Sequence, residues 1–131
     1  MSVRLATLIV LTVSLAACNG GTVDKHALTN DSATIASIAC EGALLAHDVS
    51  SGRTTVNFTR EQAEELRLQA SNFADALKSR PTLASIDSRV RAKAARAARI
   101  SRTLARLQSD PANKSLAASL ERRLARLGGC A

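Results

Sequence analysis

Hydrophobic and polar positions follow two different patterns along this chain of 131 residues. The first is an apolar stretch over residues 5–17 that contains no charged side chain. The second pattern occupies most of the remaining chain, where apolar residues recur at spacings of three and four. Such spacing places apolar side chains on one face of an α-helix. The patterns therefore predict an isolated hydrophobic segment followed by an all-α region.

Four apolar stripes follow one another, and each predicts an amphipathic helix. The first helix is expected to start after the N-cap candidates at residues 30–32 and to end near Val49. The second is expected to start at Thr59, which forms a capping-box pattern with Gln62. It should end at Arg80, because a proline follows and disfavours helical geometry in the residue before it.

The third helix is predicted over about residues 82–108. The fourth is predicted to start with Asp110 as its N-cap and Pro111 in its first turn, and to end at the glycine pair 128–129. The links on either side of the third helix are short, and short links favour antiparallel neighbours. The prediction is therefore an all-α fold, a small antiparallel bundle of about four helices over residues 31–131.

The hydrophobic segment has the layout of an export signal. It follows the basic residue Arg4 and ends in Leu15-Ala16-Ala17-Cys18. Its apolar core matches a signal-peptide core and is shorter than the roughly 20 residues that span a bilayer. The segment resembles the lipobox of bacterial lipoproteins. An ordinary secretory signal and an uncleaved membrane anchor are the alternatives.

The lipobox resemblance implies that the Cys18 thiol receives diacylglycerol and that the signal peptide, residues 1–17, is removed. It also implies a further acyl chain, such as palmitate, on the new N-terminus. Residues 18–30 are polar and contain glycine, which predicts a flexible tether between the membrane and the bundle. Asn19 directly follows the cysteine, and the resemblance to lipoproteins of enterobacterial type implies that Asn at this position permits export to the outer membrane. The expected location is therefore the cell membrane outside the cytosol, on the periplasmic face of the outer membrane in a Gram-negative host.

The cysteines predict one covalent bridge. With Cys18 assigned to the lipid, Cys40 and Cys130 remain. Exported compartments are oxidising, so an even pair indicates a disulfide. In the chain-entropy model a bridge over such a long loop contributes at most roughly 4–5 kcal/mol. Metal binding is the weaker alternative, because two cysteines and two distant histidines lack zinc-like spacing. No metal and no cofactor is predicted.

Charge is divided unevenly between the two parts of the chain. Residues 19–79 contain five basic and eight acidic residues, whereas residues 80–131 contain twelve basic and three acidic ones. With Arg4, these account for the formal net charge of +7. Such a division predicts either packing of one part on the other or an anionic partner.

Arginines on the third helix are the candidate anion-binding site, because guanidinium groups pair bidentately with phosphate and carboxylate. The candidates are Arg89, Arg96, Arg99, Arg102 and Arg106. The alternative is a solvated face that is partly neutralised by the carboxylates of Glu61, Glu64 and Glu65. Nucleic acid is a poor candidate partner, because only two aromatic residues are available for base stacking.

No group of residues predicts catalysis. His47 and Asp48 are adjacent, but adjacent helical side chains point about 100° apart. The prediction is therefore that the protein is not an enzyme. The predicted function is that of a membrane-anchored cell-envelope lipoprotein that acts as a structural or interaction module, with an envelope protein as the expected partner. The alternative is a module that binds anionic lipid, lipopolysaccharide or another polyanion through its arginine face.

Overall fold

The computed structural model describes residues 22–130. Within this range the chain forms four helices, α1 (Lys25–Ser50), α2 (Val56–Ser79), α3 (Asp87–Ser109) and α4 (Lys114–Gly128). The only extended pairing in this range is an isolated parallel bridge between Val23 and Thr82. The predicted all-α class is confirmed. The predicted signal peptide and Cys18 lie outside the described residues.

The helices run up, down, up and down. Polar contacts tie together elements that meet at the same level of the bundle. Arg67 Nε on α2 donates to Gln108 Oε1 near the end of α3, at 2.9 Å. His47 Nδ1 near the end of α1 lies 3.2 Å from Glu121 Oε1 on α4. The packing forms two close antiparallel pairs, α1 with α4 and α2 with α3.

Leucine, isoleucine and alanine form the core, and alanine lets the helices approach closely. Gly42 is one point where α1 comes close to its neighbours, since a Cβ there would lie 2.8 Å from Leu104 Cδ2 and 3.3 Å from Leu124 Cδ1. Burial of these side chains drives the packing of the amphipathic faces. The largest fully buried aliphatic side chains are Val23, Leu28, Ile35, Leu77, Ile86, Val90, Ile100, Leu104, Leu107, Leu120 and Leu124.

The helical body begins earlier than predicted. Helix α1 starts at Lys25, and its N-cap is Asp24, whose Oδ1 accepts from the amide of Ala27 at 2.8 Å. Val23 is completely buried, and its amide donates to the carbonyl oxygen of Pro81 at 2.9 Å. The tether predicted over residues 18–30 is therefore wrong for residues 23–30. The burial of Val23 and Leu28 outweighs the polar composition around them.

Helix α2 also begins earlier than its predicted capping box. Thr55 is the N-cap, and its Oγ1 accepts from the amide of Phe58 at 3.3 Å. Thr59, the predicted cap, is fully buried and its hydroxyl donates to the carbonyl oxygen of Thr55 at 2.9 Å. Thr59 lies one helical turn before Ala63, on the same buried face. The helix therefore has to begin before Thr59 for both side chains to pack against the core.

Helix α3 begins later than predicted, at Asp87. Residues 82–86 form a turn, in which Thr82 Oγ1 donates to Asp87 Oδ1 at 2.9 Å. Leu83 falls within the predicted third helix, at a position expected to be buried by its spacing to Ile86 and Val90, but it is 52% exposed in this turn. The turn instead buries Ile86, so one apolar side chain anchors the link between α2 and α3.

Helix α4 is capped by Asn113, and the prediction of Asp110 is wrong. Asn113 Oδ1 accepts from the amide of Leu116 at 2.9 Å, while its Nδ2 donates to Asp110 Oδ2 at 2.8 Å. Pro111 is buried in the turn before the helix. The predicted glycine end is confirmed, since Gly129 is the C-cap with φ of 68°.

Candidate functional site

Three of the five candidate arginines share the exposed face of α3. Arg99, Arg102 and Arg106 project away from the buried stripe that contains Ile100 and Leu104. Within residues 22–130, none of the three forms an ion pair with an acidic side chain. Their charge is therefore available to an external anion.

Arg96 has a different position. It is half-buried on the flank of α3, and its Nε donates to the carbonyl oxygen of Leu127 at the end of α4. The last carbonyls of a helix lack partners within the helix, and a cation near them is favourable. Arg96 therefore satisfies the end of α4 and is not part of the free arginine face. Arg89 is exposed, but it does not line the groove that lies beside the arginine face and is described next.

A groove of about 450 Å³ lies between α3 and the end of α2. Four basic side chains surround it, and no acidic residue lines it. Its floor consists of the small residues Ala94, Ala95 and Ala98. The basic groove, as we name it, is lined by Lys78, Arg91, Arg99 and Arg102.

Two of these basic residues were not predicted. Lys78 belongs to α2, and only the antiparallel pairing of α2 with α3 brings it to the arginines. Arg91 was not among the five candidates, and Asp87 precedes it by one turn on α3. That pair does form, with Arg91 Nη2 2.8 Å from Asp87 Oδ2. Lys78 has a longer contact, with Asp75, at 3.8 Å. Exposed pairs of this kind are weak, so both cations can still contact an external anion.

The acidic residues expected to neutralise the arginine face do not pair with it. Glu61, Glu64 and Glu65 are exposed in the first half of α2 and form no ion pair within residues 22–130. The contact between Arg67 and Gln108 places this part of α2 level with the end of α3. These carboxylates therefore lie at the opposite end of α2 from the basic groove.

His47 and Asp48 have separate partners. The imidazole of His47 faces Glu121 on α4, as the contact described above shows. Asp48 Oδ1 instead accepts from Arg53 Nη2 at 2.8 Å. The geometry of the helix thus directs these adjacent side chains to different elements.

The two cysteines of the bundle are joined. Cys40 lies in α1 and Cys130 follows α4, and their disulfide spans 90 residues with the Cα atoms 5.7 Å apart. The two glycines before Cys130 allow this bridge to form. Gly129 has the left-handed backbone of a helix end, and a Cβ on Gly128 would lie 2.8 Å from Cys40 Sγ.

A second exposed surface is apolar. Leu44 on α1 is 62% exposed and Phe58 on α2 is 51% exposed. They line a groove of about 230 Å³ between these helices, with Glu41 and Asp48 also lining it. We name Leu44 and Phe58 with this groove the apolar patch. Both residues lie outside the buried stripes, so the helical periodicity did not predict their contact surface. Adjacent large apolar residues on a surface mark contact sites more often than single ones do.

No helix within residues 22–130 is long and apolar enough to cross a membrane. The same part of the chain contains no group of three or more potential metal ligands among its histidine, cysteine and acidic residues. Comparison of the chain with protein-family models, with curated protein sequences and with solved structures gave no match.

Proposed function

We propose that this protein is a lipid-anchored lipoprotein of the bacterial cell envelope. The disulfide carries the proposal, because it accounts for Cys40 and Cys130 and leaves Cys18 as the one remaining cysteine of the chain. That cysteine stands at the end of the lipobox-like segment. A bridge between bundle cysteines is also typical of an oxidising compartment outside the cytosol. The periplasmic face of the outer membrane is the proposed location in a Gram-negative host.

The proposed role is that of a structural or interaction module. Its support is the apolar patch, where Leu44 and Phe58 expose hydrophobic surface that a protein partner would cover. Glu41 beside it forms no ion pair within residues 22–130, which favours a partner with an apolar anchor and a basic rim.

The replacement Cys18→Ser tests the anchor. We expect the variant to keep its signal peptide and to carry no lipid, because the thiol is the acceptor of diacylglycerol. Intact-mass spectrometry of protein extracted from the native cell makes the measurement, with the unaltered protein as the control. A variant that is still cut and acylated would refute the assignment.

The unaltered protein and the Cys18→Ser variant also test the interaction role. A photocrosslinking amino acid at Leu44 should capture an envelope protein from the anchored form and lose it with Cys18→Ser. The matched control position is Leu68, which is 42% exposed and does not line the groove of the apolar patch. Equal capture from both positions would contradict a specific contact.

A second candidate function is the binding of anionic lipid, lipopolysaccharide or another polyanion. The unpaired state of Arg99, Arg102 and Arg106 favours it. Co-sedimentation with vesicles or lipopolysaccharide across a salt series tests it, because phosphate contacts of exposed arginines weaken as salt rises.

A further inference from the structure

The described chain begins beside the basic groove. Val23 pairs with Thr82, so the chain enters the bundle at the turn between α2 and α3. The hydroxyl of Thr82 contacts Asp87, and Asp87 contacts Arg91 in the groove wall. A continuous set of contacts therefore connects the point of entry to the groove. Lys78 precedes Thr82 by four residues, in the last turn of α2.

The connection to the proposed anchor is short. Only residues 19–21 separate Cys18 from Thr22. Even a fully extended chain of this length covers at most about 14 Å. The predicted tether over residues 18–30 would have allowed a much larger separation. Because α1 starts at Lys25 and Val23 is buried, the reach is limited to these few residues.

We propose that the basic groove docks the domain onto the anionic lipid headgroups of the bilayer that holds acylated Cys18. This inference rests on the proposed lipid anchor. The occupant is the phosphate of an anionic lipid, for which the groove supplies basic side chains and no carboxylate in its lining. Arginine binds phosphate with two parallel hydrogen bonds, and the alanine floor leaves room for the headgroup.

The distances suit electrostatic docking. At physiological salt, the Debye length is about 8 Å. The basic side chains of a domain held within one or two such lengths are therefore attracted by the charge of an anionic bilayer surface. Arg99 and Arg102 continue the positive surface along α3 from the anchored end. Phe58 lies 20 residues before Lys78 in α2, or about 30 Å along the helix. Docking through the groove therefore leaves the Phe58 end of the apolar patch away from the bilayer.

A fluorescence experiment on the full lipidated protein tests this orientation. The chain contains no tryptophan, so a single introduced tryptophan is the only such reporter. Leu83→Trp places it on the exposed turn beside the entry point, and Phe58→Trp places it at the distant end. Each protein is reconstituted into phosphatidylcholine vesicles with or without phosphatidylglycerol, both carrying a headgroup nitroxide quencher.

We expect phosphatidylglycerol to increase quenching of the tryptophan at position 83 and to leave position 58 unchanged. In the Leu83→Trp background, Arg91→Gln with Arg99→Gln and Arg102→Gln should remove the increase. Loss of three basic contacts at an anionic surface weakens docking on the order of 100-fold. The matched control is Arg122→Gln with Arg123→Gln and Arg126→Gln, which removes the same charge from exposed positions on α4.

Two failures have different meanings. If the native protein carries no lipid and stays outside the vesicles, both the anchor and the docking are wrong. If the protein is anchored but phosphatidylglycerol has no effect, or the two triple variants lose quenching equally, only the docking is wrong. Circular dichroism of each triple variant, with an unchanged helical spectrum, verifies that the comparison is between folded proteins.

Discussion

At the residue scale, one partly buried ion pair links α1 to the residue that ends α2. Arg80 Nη2 donates to Asp31 Oδ2 at 2.7 Å, and the two side chains are only 27% and 17% exposed. Arg80 Nε is buried and has no hydrogen-bond partner within residues 22–130. A charge in this setting is costly to leave without its counterion.

The replacement Asp31→Ala is therefore expected to lower the free energy of unfolding by about 2 kcal/mol. Arg80→Met combined with Asp31→Ala should recover part of this loss, because no uncompensated charge remains. Urea denaturation of the single and double variants makes the measurement. The control, Asp48→Ala, breaks the more exposed pair with Arg53 and should cost less than about 1 kcal/mol. Equal losses at Asp31 and Asp48 would contradict the role of burial.

At the scale of the element, the helix interiors were predictable and several ends were not. The periodic stripes identified all four helices, because burial of an apolar face does not depend on which polar residue caps the end. The sequence did not identify the N-cap residues of the helices, because several polar residues near each start can accept a hydrogen bond from the first turn. Thr55 and Thr59 are both good N-caps by type, and only the packing of Thr59 against the core decides between them.

Helix α4 provides a direct test of this reasoning. Asn113→Ala should lower the free energy of unfolding by about 1 kcal/mol, because the amide of Leu116 loses its acceptor. Asp110→Ala, at the position the sequence favoured, should cost less than about 0.5 kcal/mol. Thermal or urea unfolding compares them, with Asn113→Asp as the variant that keeps an acceptor oxygen. A larger loss at Asp110 would restore the original assignment.

At the scale of the whole molecule, the disulfide joins Cys130, which follows α4, to the middle of α1. It closes a loop that contains α2, α3 and α4. The core consists largely of alanine and aliphatic residues, and few aromatic side chains add buried area. Because the disulfide constrains the unfolded chain, it makes a large contribution to the free energy of unfolding of a bundle of this size.

Removing the bridge with Cys130→Ser is expected to lower the free energy of unfolding by about 2–5 kcal/mol. Cys40→Ser should cause a similar loss, and the double variant should lose no more than either single one, because each removes the same bond. Urea denaturation without reductant makes the comparison. Losses that add up in the double variant would show that the thiols contribute separately and that no bond links them.

Local features of the sequence were enough to predict the helical class, the approximate positions of four helices and, once the lipobox resemblance assigned Cys18 to the lipid, the pairing of Cys40 with Cys130. Helical periodicity and cysteine number act through neighbouring residues or simple counting, so they can be recognised without coordinates. The lipobox resemblance of Leu15 to Cys18 is equally local, and the anchor it implies stays a prediction.

Tertiary structure alone decided which charges of different helices meet. Lys78 joins the arginines of α3 only because α2 packs against α3, and Arg96 leaves the arginine face because α4 ends beside it. The burial of Val23 against the turn after α2 likewise depends on residues far apart in the chain. These outcomes follow from how helical faces pack, and the order of residues within one helix does not contain that information.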